Sequence, residues 1–197
     1  MNALENRLCS AAPQRGLVKT DQISNVQSHL ASTAPRVLAR VKYRSSEGKC
    51  LMNQLEIHMF PCLNDNYGYL VHDEASGETA VIDTPDANVI LAEAEKLGWK
   101  ITQIWNTHWH PDHAGGNLAI KEATGCVIIG PVGEHEKIPG LDRAVGQDAI
   151  VNLGTQTATV IDVPGHTLGH IAYHMADQNI AFVGDTVFAL GCGRIFE

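Results

Sequence analysis

ITQIWNTHWHPDHAGG, Ile101 to Gly116, runs from an apolar strand pattern into three histidines and an aspartate, then into two glycines. Read as a strand, ITQIWNTH carries His108 at its end and points His108 and His110, two residues apart, to one face. Pro111 cannot continue a strand ladder and sets a turn. That turn swings Asp112 and His113 to the same mouth. Gly115 and Gly116 let a helix, predicted over Gly116–Thr124, begin without a Cβ in the way. Two imidazoles on one side, with a carboxylate and an imidazole on the other, exceed what one zinc ion takes from a single segment. The pattern points to two cations side by side. The bland alternative is a polar loop of hydrogen-bonded histidines. It would bury many titratable groups without a charge to offset them.

A metal pair needs ligands from elsewhere, and two later stretches offer them after a small residue at a strand end. VPGHTLGH supplies His166 and FVGDTVF supplies Asp185. A carboxylate has one oxygen for each of two metals, so Asp185 is the candidate bridge. His170 opens a strand and is expected to be an orienting or structural group rather than a metal ligand, because ligand histidines lean on outer partners. Asp83 either orients a ligand histidine or forms a turn before Thr84-Pro85. His29, His58, His72, His135 and His174 lack convergent partners and read as structural or surface groups.

Around the cluster the chain alternates strands and a few helices. Strands are predicted at Gln54–Phe60, in YLVHD and ETAVID around a Ser76-Gly77 turn, and in CVIIG, DAIVNL, ATVIDV, HIAYHM and IAFVGD. LNDNYG reads as a turn. Asp86 caps a helix to Leu97 with Val89, Ile90, Ala94 and Leu97 near one face, and Gly98 stops it. Residues 131–146 read as a loop or lid. A doubly wound sheet would need a helix after nearly every strand, so this order suits two sheets face to face with helices outside.

Composition narrows the class. With 44% hydrophobic and 18% charged residues the chain is an ordinary globular one. No apolar run approaches the ~18 residues of a membrane helix. Five scattered cysteines without CxxC spacing fit a reducing compartment, and a cytoplasmic location is expected. Residues 1–51 carry eight Lys/Arg against three Asp/Glu, +5, so the remainder of the −8 net charge is −13. An acidic body argues against nucleic acid. The basic, Ser-rich residues 1–51 read as a disordered extension with a weak helix near Val37–Tyr43, ahead of a domain spanning 52–197. The same composition also fits a transit peptide, which would direct the chain to the mitochondrial matrix.

THWHPDH, GHTLGH and GDTVF, with NDNYGYL before them and GCGRIFE after, resemble the glyoxalase II (hydroxyacylglutathione hydrolase) family of the metallo-β-lactamase superfamily. The resemblance covers about Met52 to Glu197 and implies an α+β fold, a four-layer αββα sandwich that is C-terminally incomplete. It implies a binuclear centre of two divalent ions, zinc first, with iron or manganese as alternatives. His108, His110 and His166 would hold one metal, Asp112 and His113 the other, and Asp185 both. Asp112 and Asp185 are also the catalytic candidates, with Asp112 aiming the nucleophile. Arg194 and Phe196 fall where the family contacts glutathione, though many members carry tyrosine at the latter position. The implied activity is a monomeric thioester hydrolase cleaving S-D-lactoylglutathione to D-lactate and glutathione through a metal-bridging hydroxide. The family pattern continues past the equivalent of Glu197 into more sheet and a helical domain. The chain then reads as a fragment whose second metal site is one ligand short. The rivals are a persulfide dioxygenase of the same superfamily, which tends to read Thr-Asp-Phe-Gln after its own GCGR, and an inactive metal-binding fragment.

Overall fold

Eight residues of alternating pattern, LEIHMFPC, form β1 (Leu55–Cys62), which pairs antiparallel with β2 (Asn66–Asp73) in the computed structural model. That structure describes residues 55–195 and 197. The expectations for Gln54, for the 1–51 extension and its helix, and for Phe196 lie outside the described residues. β2 continues antiparallel into β3 (Glu78–Ile82) through the Ser76-Gly77 turn. Helix α1 (Ala87–Leu97) follows. The Asp86 carboxylate caps it by accepting from the Asn88 and Val89 N–H groups. Gly98, with φ 70°, closes it in the left-handed conformation that glycine adopts without a Cβ penalty. Of the expected apolar face, Ile90 and Ala94 are buried and Leu97 is exposed.

β4 (Ile101–Trp105) and β5 (Val127–Pro131) then add parallel to β3, and β6 (Arg143–Val145) closes this six-stranded sheet. Between β4 and β5 lie the four-residue helix α2 (Pro111–Ala114) and α3 (Asn117–Thr124). β7 (Ile150–Leu153), β8 (Gln156–Asp162), β9 (Ile171–Met175) and β10 (Ile180–Phe182) make a second, wholly antiparallel sheet.

The two sheets pack face to face, as the strand order predicted. Val71, Ile82, Trp105 and Ile129 of the first meet Val151, Leu153, Val160 and Tyr173 of the second. Each large side chain so buried contributes about 1.5–3 kcal/mol. The outer face of the first sheet is covered by Ile90, Ala94 and Ile120 of α1 and α3. β3 and β5 are therefore buried along most of their length on both sides, and Ala80–Ile82 and Val127–Ile129 are continuous apolar runs rather than alternating ones. The described residues supply three of the four expected layers, helix, sheet and sheet. Among them no helix is long and apolar enough to cross a membrane.

Several boundaries differ from the sequence reading. Asn66, Tyr67 and Gly68 belong to β2, so the first turn is shorter than LNDNYG. Residues 131–146 contain the 3₁₀ turn Val132–Glu134 and β6. β4 ends at Trp105, before the histidines.

Candidate metal centre

Strand alternation does not place His108 and His110, because the ladder stops first. The Asp83 carboxylate takes over: its Oδ1 accepts the Thr107 N–H at 2.8 Å and its Oδ2 the Thr107 hydroxyl at 2.7 Å. The chain turns there, and Pro111 opens α2 at its first position, where a missing N–H costs nothing. A buried amide network fixes α2 from below. Asn106 Nδ2 donates to the His113 carbonyl at 2.9 Å, and Asn117 Nδ2 donates to Asn106 Oδ1 at 2.8 Å. Gly116 packs against the β3–α1 connection, where an added Cβ would sit 2.8 Å from the Thr84 carbonyl oxygen.

Three nitrogens then converge. His108 Nε2 and His166 Nε2 each lie 3.0 Å from His110 Nδ1. The ring tautomers follow from the opposite edges. Thr107 gives its proton to Asp83, so its oxygen accepts the His108 Nδ1–H at 3.1 Å. The Arg194 carbonyl accepts the His166 Nδ1–H at 2.7 Å. Both Nε2 lone pairs are thereby aimed at the centre, the outer-partner arrangement typical of metal-ligating histidines. Burial, followed by the neighbouring imidazoles, depresses the pKa of His108 and keeps it neutral. His110 is depressed by burial and by His166.

The second cluster is anionic. His113 Nδ1 donates to Asp83 Oδ2 at 2.9 Å, and its Nε2 faces Asp185 Oδ1 at 3.2 Å and Asp112 Oδ2 at 3.5 Å. Burial opposes charge on His113, yet the carboxylates of Asp83, Asp112 and Asp185 outweigh it and push its pKa up to about 12. A proton thus stands where three carboxylates favour a cation. Asp112 is held well below the usual carboxylate range by His113 and by Asn66, whose Nδ2 donates to Oδ2 at 3.1 Å. Asp185 spans the two clusters, with Oδ2 3.3 Å from His166 Nε2. His170 is fully buried, stacks on His108 with ring centroids 4.7 Å apart, and its Nε2 accepts the Asp185 N–H at 3.2 Å. Burial lowers its pKa to about 4, so that nitrogen stays an acceptor.

The six sequence candidates for metal binding come together. Three nitrogens lie mutually close enough to share one ion, and Asp83, His108 and His113 form a second such group. Asp83 makes the contact to a candidate ligand histidine that the sequence allowed, accepting from His113 Nδ1. Asn66 was hidden in a turn-like motif. Arg194 is exposed, and its backbone carbonyl is what enters the site. His58 pairs with Glu93, His72 stacks on Trp99, and His135 bonds the Val132 carbonyl, all away from the cluster.

A profile described as the metallo-beta-lactamase superfamily matches residues 65–197. The chain belongs to that superfamily. Membership implies divalent metal ions, and the His-rich cluster of this metallo-β-lactamase domain is where they fit. A protein named hydroxyacylglutathione hydrolase from Hyphomonas neptunium is 74% identical over 143 residues, 73% of this chain and 56% of that protein. One from Erythrobacter litoralis is 65% identical over 143 residues, covering 73% and 57%. The chain spans about half the length of the curated relatives it matches. Among solved structures, the BLEG-1 B3 metallo-beta-lactamase aligns at TM-score 0.65 and 19% identity over 70% of this chain and 76% of that one. ETHE1 from Myxococcus xanthus aligns at 0.62 and 28% over 70% and 60%. These likenesses fix the fold as the αββα sandwich.

Proposed function

We propose that the chain carries the metal centre of a thioester hydrolase that cleaves S-D-lactoylglutathione to D-lactate and glutathione. The observation that carries the reading is Asp185, one oxygen 3.2 Å from His113 Nε2 and the other 3.3 Å from His166 Nε2. In this reading His108, His110 and His166 would hold one divalent ion, Asp112 and His113 would hold a second, and Asp185 would serve both. Zinc suits the nitrogen-rich half, and iron or manganese would also accept these donors. The ions, when bound, acidify water to a pKa near 7 and stabilise negative charge on a carbonyl oxygen.

The protein's own groups supply the rest. A cavity of about 690 Å³ opens beside Asp112, His113 and Asp185, walled by Tyr67, Tyr69 and Phe182. That volume suits a small-molecule thioester. Asp65, Asn66, Asp83, Asp112, His113 and Asp185 supply its polar lining, so a bound thioester would lie beside the residues read as metal ligands. Asn66 fixes the Asp112 carboxylate in place. Thiols ionise near pKa 8.5, so a glutathione thiolate leaves without a dedicated acid. Arg194 would take a substrate carboxylate, and Phe196 would line the glutathione path. The names of the relatives support the substrate class.

Metal content per chain, measured with S-D-lactoylglutathione hydrolysis followed at the thioester absorbance, tests this. Two metals per chain and turnover are expected. One metal without turnover would make the chain an inactive binding fragment. Iron with oxygen uptake in glutathione persulfide would make it a dioxygenase.

A further inference from the structure

One buried carboxylate outside the six candidates touches both loops that carry the three converging nitrogens. Glu134 ends the 3₁₀ turn after β5 and is 3% exposed. Its Oε2 accepts the Trp109 N–H at 2.8 Å, and Trp109 stands between His108 and His110. Its Oε1 accepts the Thr167 hydroxyl and, at 3.0 Å, the Gly169 N–H. Thr167 follows His166 directly. The approach is close: a Cβ on Gly169 would lie 2.7 Å from Glu134 Cγ and 2.9 Å from the Gly133 carbonyl carbon. The two loops also touch directly, through the His110–His166 and His108–His170 ring contacts and through the Ile171 N–H, which donates to the Thr107 carbonyl at 3.0 Å. That bond lies at the base of the loops, whereas Glu134 acts at the level of the imidazoles.

Burying a carboxylate is costly unless hydrogen bonds hold its charge. Glu134 has three donors, and all come from these two loops. We propose that Glu134 is a positioning residue that sets the gap between the two loops. It thereby holds His108 Nε2, His110 Nδ1 and His166 Nε2 at the spacing one divalent cation takes. The inference rests on the metal-centre reading above. A carboxylate is needed because each of its oxygens must only accept. In Glu134→Gln the amide NH₂ faces either Trp109 N–H or the Thr167–Gly169 pair, donor against donor, and one loop moves off.

The test is zinc affinity of the 197-residue chain by competition with a chromophoric chelator, alongside apoprotein melts and the visible spectrum of the cobalt-loaded protein. Glu134→Gln should weaken the tightest zinc site roughly 10–100-fold, the usual effect of losing an outer partner. It should also change the cobalt bands. Thr167→Val keeps the charge and removes one donor, so it should give a smaller loss in the same direction; it decides the matter if Glu134→Gln does not fold. Asp73→Asn, a buried carboxylate at the other end of the molecule, should melt lower yet bind zinc as the wild type does. Zinc affinity within about threefold of wild type in the Glu134 and Thr167 variants, with unchanged cobalt bands, overturns the proposal. A wild-type chain that takes up no zinc brings down the metal-centre reading, and this inference with it.

Discussion

Replacing Asp83 by Asn should disable both halves of the centre through proton placement alone. Asp83 is 6% exposed and sits at φ 54°, a left-handed position that Asn tolerates, so the backbone should stay put. The Asn carbonyl must face the Thr107 N–H, because an amide NH₂ cannot accept. The NH₂ then lies where Oδ2 was, facing the Thr107 hydroxyl and His113 Nδ1. The hydroxyl must turn to accept, and its proton swings toward His108 Nδ1, 3.1 Å away. His108 and His113 are both driven to the tautomer with hydrogen on Nε2, the nitrogen each presents to the centre. A ligand nitrogen needs its lone pair, so each half should lose about 10–100-fold in zinc affinity, or ~1.4–2.7 kcal/mol. The apoprotein should lose about 1–3 kcal/mol with its charged hydrogen bonds. A two-step zinc competition titration reads the affinities, and ¹⁵N NMR of the imidazoles reads the tautomers. Wild-type affinity at both steps, or unchanged Nδ1–H signals, would refute the argument.

Three other outcomes follow from single contacts. Burial alone would raise the Asp73 carboxyl, but donors from Thr155, Ser76 and Ala75 outweigh it and hold the pKa below the usual range. Its contribution is then present above about pH 4 and lost as pH falls through the lowered folded value; urea melts of Asp73→Asn should be weaker at pH 7 and should converge with wild type in acid. The Tyr173 hydroxyl donates to the Asn106 carbonyl at 2.9 Å in the fully buried inter-sheet core, so Tyr173→Phe should cost about 1–2 kcal/mol in the same melts. Gly184 has φ 49°, and a Cβ there would strike Thr107 Oγ1 and come within 2.8 Å of the His170 ring; Gly184→Ala should destabilise by at least about 2 kcal/mol by calorimetry.

The cluster was legible because its signal is local: HxHxDH, GH and GD name ligand chemistry within a few residues. The groups that aim the ligands were not, because their partners are distant in sequence. Asn66 reads as turn chemistry, and its bond to Asp112 spans 46 residues. Glu134 is one of two acids in the polar stretch GEHEK, with nothing periodic around it to mark burial. Asp83 could be named but not assigned, since a left-handed Asp before Thr84-Pro85 also makes an ordinary turn. The strand expected to reach His108 ended at Trp105, and the Thr107 N–H beyond it is taken by a side chain 24 residues earlier. No local pattern carries that information. The short helix α2 did have a signal, since Pro at a first helical position starts a helix as well as ending a strand.

The centre is divided between the two sheets, and that division explains why so many buried polar groups surround it. Asp83, His108, His110, Asp112 and His113 come from connections between strands of the first sheet, while His166 and Asp185 come from segments flanking strands of the second. A slip of one sheet over the other would move His166 and Asp185 together, away from the remaining groups. The apolar core of Trp105, Val160 and Tyr173 resists separation of the sheets, but apolar contact is non-directional and fixes sliding poorly. Directional bonds must do that. Tyr173 to the Asn106 carbonyl, Ile171 N–H to the Thr107 carbonyl and the Thr167 hydroxyl and Gly169 N–H to Glu134 each pin one sheet's loop to the other at the metal end. Asp73 with Thr155 does so at the opposite end. A chain with the same hydrophobic pattern but without these bonds would still form two stacked sheets. Its six donors would not be held at the roughly 3 Å spacings seen between neighbouring ligand atoms, and a cation would have to supply the docking energy that the bonds now provide in advance.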